Sequence, residues 1–121
     1  MQVLLEPAID KAKNGFPVSY KGALRMRRTT DILSLTSSCK NLYLKSDGNP
    51  FKEGEIIKNN DYAKVLEEIG RAGSASFYSG DISKLIVREI ENNDGFLTPI
   101  DLKNYEAVRK RPAEYIFKGT M

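Results

Sequence analysis

Asn60-Asp61-Tyr62-Ala63-Lys64-Val65-Leu66-Glu67-Glu68-Ile69-Gly70-Arg71-Ala72-Gly73 is the stretch whose reading decides the fold. Tyr62, Val65, Leu66 and Ile69 recur at helical spacing, so one face of this segment is apolar and the other charged. Asn60 or Asp61 is expected to cap the helix, and Gly70 and Gly73 to end it. Phe77 and Tyr78 then read as a tight connection. Ser79 or Asp81 opens a further helix whose face is Ile82, Leu85, Ile86 and Ile90, stopped by Asn92-Asn93-Asp94-Gly95. Thr98, Pro99 and Asp101 carry N-cap, N1 and N3 chemistry, which predicts a third, short helix.

Upstream of this block, Leu5, Ala8, Ile9 and Ala12 make another apolar stripe. Pro7 suits the first turn of such a helix, where an amide proton is not needed. Asn14-Gly15 stops it, and Phe16-Pro17-Val18 reads as extended. From Ser19 to about Ser38 a second helix is expected, with Ala23, Met26, Thr30 and Leu33 on one side. Gly22 and the Thr/Ser-rich end weaken it. Leu42-Tyr43-Leu44 suits a short strand, Asp47-Gly48-Asn49-Pro50 a turn, and Lys52-Glu53-Gly54-Glu55 a polar loop. Helical structure is thus expected over about 5–104.

Downstream, Ala107-Val108-Arg109 and Tyr115-Ile116-Phe117 look extended around Lys110-Arg111-Pro112, giving strands over about 105–118. A lone hairpin is marginal in water, so these strands are expected to join a sheet from elsewhere, and the ending looks truncated. The fold class is mainly α with a short C-terminal β segment, in a single partial domain over 1–121.

Composition narrows the function. The 121 residues suit one domain. Leu, Ile, Val and Phe total 31 of them, enough for a core. No apolar run is long enough to span a bilayer, and no leader pattern precedes the first helix. The net charge of +3 is mild, with its basic excess in residues 1–60. That is too little to indicate a nucleic-acid binder. One cysteine, Cys39, excludes an internal disulfide and a cysteine-rich zinc site. With no histidine, a Ser-His-Asp or Cys-His machine cannot be built from this chain alone.

Each candidate for chemistry has a plainer structural reading. Gly73-Ser74-Ala75-Ser76-Phe77 lacks the second glycine of a nucleophile elbow and has Ala at the nucleophile position, so it reads as a turn between helices. Cys39 lies beside Lys40 but reads as a half-buried thiol. Arg25, Arg27 and Arg28 could grip an anion, yet consecutive arginines diverge on a helix, which favours a solvated face. Glu67 and Glu68 diverge likewise, and Glu67 stands four before Arg71, as in a surface pair. Glu89 and Glu91 also read as surface groups. Asp47-Gly48-Asn49 lacks the spaced ligands of a calcium loop. The residues themselves assign no catalytic, substrate-binding or metal site, and no cofactor.

Four segments taken in order resemble the large subunit of gamma-glutamyltransferases (gamma-glutamyltranspeptidases). They are Glu6-Pro7-Ala8-Ile9 with Asn14-Gly15-Phe16-Pro17-Val18; Gly54 with Asp61-Tyr62-Ala63, Leu66, Ile69 and Gly73; Phe77-Tyr78, Gly80, Ile82 and Ile86-Val87; and Leu97-Thr98, Asp101-Leu102 and Tyr105. Arg111-Pro112 and Tyr115 with Gly119 also fit. Three places depart from the pattern. Tyr62 replaces a usual Leu, Asn93-Asp94-Gly95 stands where paired glycines are common, and Tyr43 occupies the second position of a Cys-x-x-x-Cys pair found in animal members.

The resemblance implies a piece of the αββα N-terminal-nucleophile hydrolase fold. In such enzymes a threonine freed at the start of the small subunit attacks the gamma-glutamyl amide of glutathione or a related compound. The resemblance places that threonine beyond residue 121, and the arginine that grips the substrate carboxylate before residue 1. Thr29, Thr30, Thr36 and Thr98 match other patterns, so no functional residue carries over. The expected partners are the rest of the large subunit and the small catalytic subunit, with a glutathione-like substrate only in the intact enzyme. Parent enzymes are typically periplasmic, secreted or at the cell surface; the compartment of this chain is unknown.

The leading expectation is therefore a non-catalytic scaffold piece with helices packed around Ile9, Leu66, Ile69, Ile82, Leu85 and Ile86. A rival is a stand-alone interaction module that recruits a partner or a second copy through unpaired strands. A nucleic-acid binder built on Arg25, Arg27 and Arg28 ranks last.

Overall fold

The computed structural model describes residues 2–115 and Phe117. Its regular elements are α1 (Gln2–Asn14), β1 (Phe16–Pro17), α2 (Tyr20–Arg28), α3 (Thr30–Leu33), α4 (Ser37–Tyr43), β2 (Ile56–Ile57), α5 (Asn60–Ala72), α6 (Ser74–Tyr78), α7 (Asp81–Glu91) and α8 (Pro99–Lys103). No helix among the described residues is long and apolar enough to cross a membrane.

The core begins with α1 against α5, the most extensive pairing of elements among the described residues. Ala12 from one helix and Ala63 and Leu66 from the other are buried. Small side chains at Ala12 and Ala63 let the backbones approach, and Leu66 fills the seam. The Asn59 amide donates to the Ala12 carbonyl at 2.8 Å, tying the end of α1 to the start of α5. Lys13 reaches across to Glu67 at 3.4 Å, an exposed pair that contributes little.

A short antiparallel ladder closes the same end, with Phe16 opposite Ile57 and Pro17 opposite Ile56. The Val18 amide extends it to the Glu55 carbonyl, and the Gly54 amide donates to the Val18 carbonyl. Gly15 makes the entry possible. Its φ of +94° is unfavourable for other residues, and a Cβ there would collide with the Ile56 side chain. Phe16-Pro17-Val18 is therefore extended as expected, but the partner strand Ile56–Ile57 follows the polar loop without a strand-like pattern of its own.

Several boundaries differ from the sequence reading. α1 starts early enough that Pro7 lies inside the helix rather than in its first turn. The missing proton leaves a carbonyl one turn earlier without its helical donor, tolerable where Val3 and Leu4 are exposed. The expected helix from Ser19 to Ser38 is broken into α2, α3 and α4. Thr29, Thr30 and Ser34 donate their hydroxyls to the carbonyls of Arg25, Met26 and Thr30, and Thr36 caps a new start through the Cys39 amide. Leu42 and Tyr43 consequently finish α4, and only Leu44 makes an isolated bridge, to Pro50.

α5 is capped by Asn59, whose side chain accepts from the Tyr62 amide at 2.9 Å, rather than by Asn60 or Asp61. Tyr62 is exposed, not buried, and the helix passes through Gly70 to stop at Gly73. Phe77 and Tyr78 lie in α6 rather than in a connection. α7 buries Ile82, Ser83 and Val87, whereas Leu85, expected in the core, is 62 % exposed.

α8 forms as expected. The Thr98 amide and hydroxyl donate to the Asp101 carboxylate at 2.8 and 2.6 Å, and the Asp101 amide donates to the Thr98 hydroxyl at 3.3 Å. Tyr105 beyond it stacks on Tyr78 at 5.4 Å and nearly parallel, while Phe77 meets Tyr78 edge-on at 5.1 Å. The chain then runs over 106–115 exposed and without regular structure. The expected strand at Ala107-Val108-Arg109 is absent there. Tyr115 is likewise irregular, Phe117 makes a single bridge, and Ile116 lies outside the described residues. Pro112 has no amide donor, and among the described residues 106–115 meets no neighbouring strand that could hold it.

Candidate functional site

The residues singled out in the sequence do not converge. Ser76 is buried, but its hydroxyl donates to the Gly73 carbonyl at 2.7 Å and so closes a turn. Ser83 does the same to Gly80. Cys39 is half-buried on α4. Asp47 accepts from the Asn49 backbone amide at 2.9 Å in a local turn, and the Asn49 side chain foremost, then that amide, hold its carboxyl below the ordinary value. The expected Glu67–Arg71 pair is replaced by Glu68–Arg71 at 2.7 Å, because Glu67 faces Lys13 instead. Arg71 is correspondingly held more basic, chiefly by its Glu68 hydrogen bonds. Glu89 accepts from the Asn93 side-chain amide. Among the described residues, no three of His, Cys, Asp and Glu gather as metal ligands would.

One concave surface does draw distant parts of the chain together. A groove of about 430 Å³ lies between the β1–β2 ladder and the α2–α4 run. Phe16 and Ile57 form one wall; Met26, Leu33 and Tyr43 form the other, with Gly22 between Ser19 and Met26. The Ser19 hydroxyl caps α2 by accepting from the Gly22 amide at 3.2 Å. Among the described residues, Arg25 is the one charged side chain on the lining, and no carboxylate is there with it. Neither neighbouring arginine joins it on that lining. Arg27 borders a smaller cleft with Tyr20, Phe51 and Lys52, and Arg28 lies on neither. The groove was half legible in the sequence: Met26 and Leu33 belong to the predicted stripe, but Ile57 comes from an unpredicted strand.

The family model described as gamma-glutamyltranspeptidase matches residues 1–121. The chain belongs to the gamma-glutamyltranspeptidase family. Among curated relatives, Scoloptoxin SSD14 of Scolopendra dehaani is 32 % identical over 110 residues, covering 90 % of this chain and 19 % of the relative. The glutathione hydrolase proenzyme of Escherichia coli (strain K12) is 31 % identical over 117 residues, covering 96 % and 20 %. The crystal structure of Helicobacter pylori gamma-glutamyltranspeptidase superposes with a TM-score of 0.83 at 30 % identity, covering 87 % of this chain and 30 % of that one. The chain thus spans about a fifth of the length of the curated relatives it matches.

As a member of the gamma-glutamyltranspeptidase family, the chain is mostly helical with a two-stranded sheet, and its helical order superposes well on that neighbour. Several motif residues that carried the resemblance fall at structural junctions of the chain. Gly15 turns the chain into β1, Gly73 ends α5, and Gly80 sits where α6 passes into α7. A Cβ on Gly80 would lie 2.7 Å from Ser76 Cα and 2.8 Å from its carbonyl oxygen. Thr98 and Asp101 cap α8. Each of these shapes the local backbone.

Proposed function

We propose that this chain is a non-catalytic scaffold piece of a gamma-glutamyltransferase large subunit, forming one partial domain of an αββα N-terminal-nucleophile hydrolase fold. The reading rests on the family match over residues 1–121, in which the recognisable residues are helix caps and tight junctions. In the parent enzyme an N-terminal threonine on the small subunit attacks the gamma-glutamyl amide of glutathione or a related compound. Its own amine takes the hydroxyl proton, the acyl group passes to the threonine oxygen, and water or an amino acid then receives it. The side chains of this segment hold the framework for that chemistry, and the reacting groups come from polypeptide outside it.

The purified chain should release no anilide from a gamma-glutamyl anilide. Release that follows the chain through purification would reject the reading.

One observation favours the second reading, an interaction module. Among the described residues, 106–115 carries no hydrogen bond, although Val108 and Tyr115 are exposed and apolar. Such a segment can add to another sheet. A second copy is the poorer partner, because an antiparallel pairing centred on Lys110 would set Arg109 against Arg111 and Glu106 against Glu114. Sedimentation at several concentrations tests the self-pairing form of this reading: the scaffold predicts a monomer, and association would show that a second copy is recruited despite those like charges.

A further inference from the structure

We propose that the groove between the β1–β2 ladder and α2–α4 binds a small amphiphilic anion, with an aromatic body of naphthalene size and one carboxylate or sulfonate. The inference rests on the groove alone and stands apart from the family reading.

Three observations carry it. First, the volume of about 430 Å³ falls in the range of roughly 300–1,000 Å³ usual for small-molecule sites. Its walls are Phe16, Met26, Leu33, Tyr43 and Ile57, an aromatic and aliphatic surface that favours a flat apolar body. Secondly, Arg25 stands on this lining with its guanidinium in no ion pair or hydrogen bond among the described residues. An arriving anion therefore finds a planar fork of donors with no internal competitor. Thirdly, no acidic side chain among the described residues shares the lining. Lys21 and Arg28 lie four before and three after Arg25 on α2, off the lining itself but within a turn of it, and add positive charge beside the groove. An apolar cation would meet repulsion, and a neutral body would use only the walls.

The probe is 8-anilino-1-naphthalenesulfonate, titrated into the full chain by fluorescence, with its uncharged relative N-phenyl-1-naphthylamine as comparison. One site per chain is expected for the sulfonate. Arg25→Gln should weaken it roughly fivefold, the scale of a partly exposed ion pair. The uncharged dye should bind that variant within about twofold of the unaltered chain, since its contacts are the apolar walls. Leu33→Glu should weaken both dyes, the sulfonate more, because it adds a polar, like-charged group to the wall. Arg27→Gln, on the other cleft, should change neither.

Many weak sites for the sulfonate would overturn the proposal. So would an Arg25→Gln variant that binds it as tightly as before, or equal weakening by Arg25→Gln and Arg27→Gln. Arg25 is exposed, so that variant keeps the test open even if Leu33→Glu fails to fold; far-UV circular dichroism identifies such a failure.

Discussion

Helices α5 and α2 are both amphipathic, yet α5 buries Ala63 and Leu66 while α2 buries no residue at all. The contrast lies in what each faces. α5 has α1 along its length, close enough for Ala63 to be only 2 % exposed. α2 faces the ladder across an open groove. An apolar stripe becomes core only where a second apolar surface reaches it; otherwise it lines a cleft.

The largest expected effect lies on the packed side. Leu66→Ala removes the side chain that fills the α1–α5 seam and should cost about 2–5 kcal/mol in urea denaturation. Met26→Ala, on the groove wall, should cost under ~1 kcal/mol. Comparable losses at the two positions would erase the distinction.

The glycines sharpen it. Gly80→Ala forces a Cβ against the Ser76 backbone, which cannot yield as a side chain would. A loss of about 1–3 kcal/mol is expected by thermal denaturation. Gly22→Ala in α2 meets Ser19 Oγ at 3.2 Å and Val18 Cγ1 at 3.5 Å, both side-chain atoms. The helix preference for Ala, up to about 1 kcal/mol, should offset that contact and leave the chain as stable or slightly more so. A loss as large as that of Gly80→Ala would mean that the groove side is tightly packed after all.

Thr98→Ala should cost about 1 kcal/mol by removing the cap of α8. The smallest effect is on pH dependence. Asp101 is held below its ordinary value of 3.8 foremost by the Thr98 hydroxyl and then by the Thr98 amide. Glu55 is held below 4.5 foremost by the Lys52 amide, with Lys45 assisting. The folded forms therefore bind protons less readily than the unfolded chain. Their stabilisation is complete above the unfolded values and is lost as pH falls through the lower folded ones. Asp101→Asn should flatten the fall in melting temperature on acidification, and an unchanged slope would contradict the cap assignment.

Much of the packed side was legible in the residues alone. Gly73 ends α5, and Thr98 with Asp101 marks α8, because these signals depend on backbone geometry only a few residues wide. Leu85 shows where periodicity fails. Leu85 and Val87 flank Ile86 on opposite sides of the helix, so the stripe can lean either way. Neighbouring α6 decides it, and Ser83 enters the buried face because its hydroxyl is satisfied by the Gly80 carbonyl. Ile56–Ile57 escaped notice since two residues cannot display a strand period. The groove, which needs that ladder for one wall, was therefore out of reach, although Arg25 and Met26 were both in view.

Native-state hydrogen exchange tests the central contrast most directly. Amides of α1 and α5, including Leu66 and Ile69, should exchange slowest and together, and those of α2–α4 faster by on the order of tenfold or more. Equal protection across both groups would contradict this account.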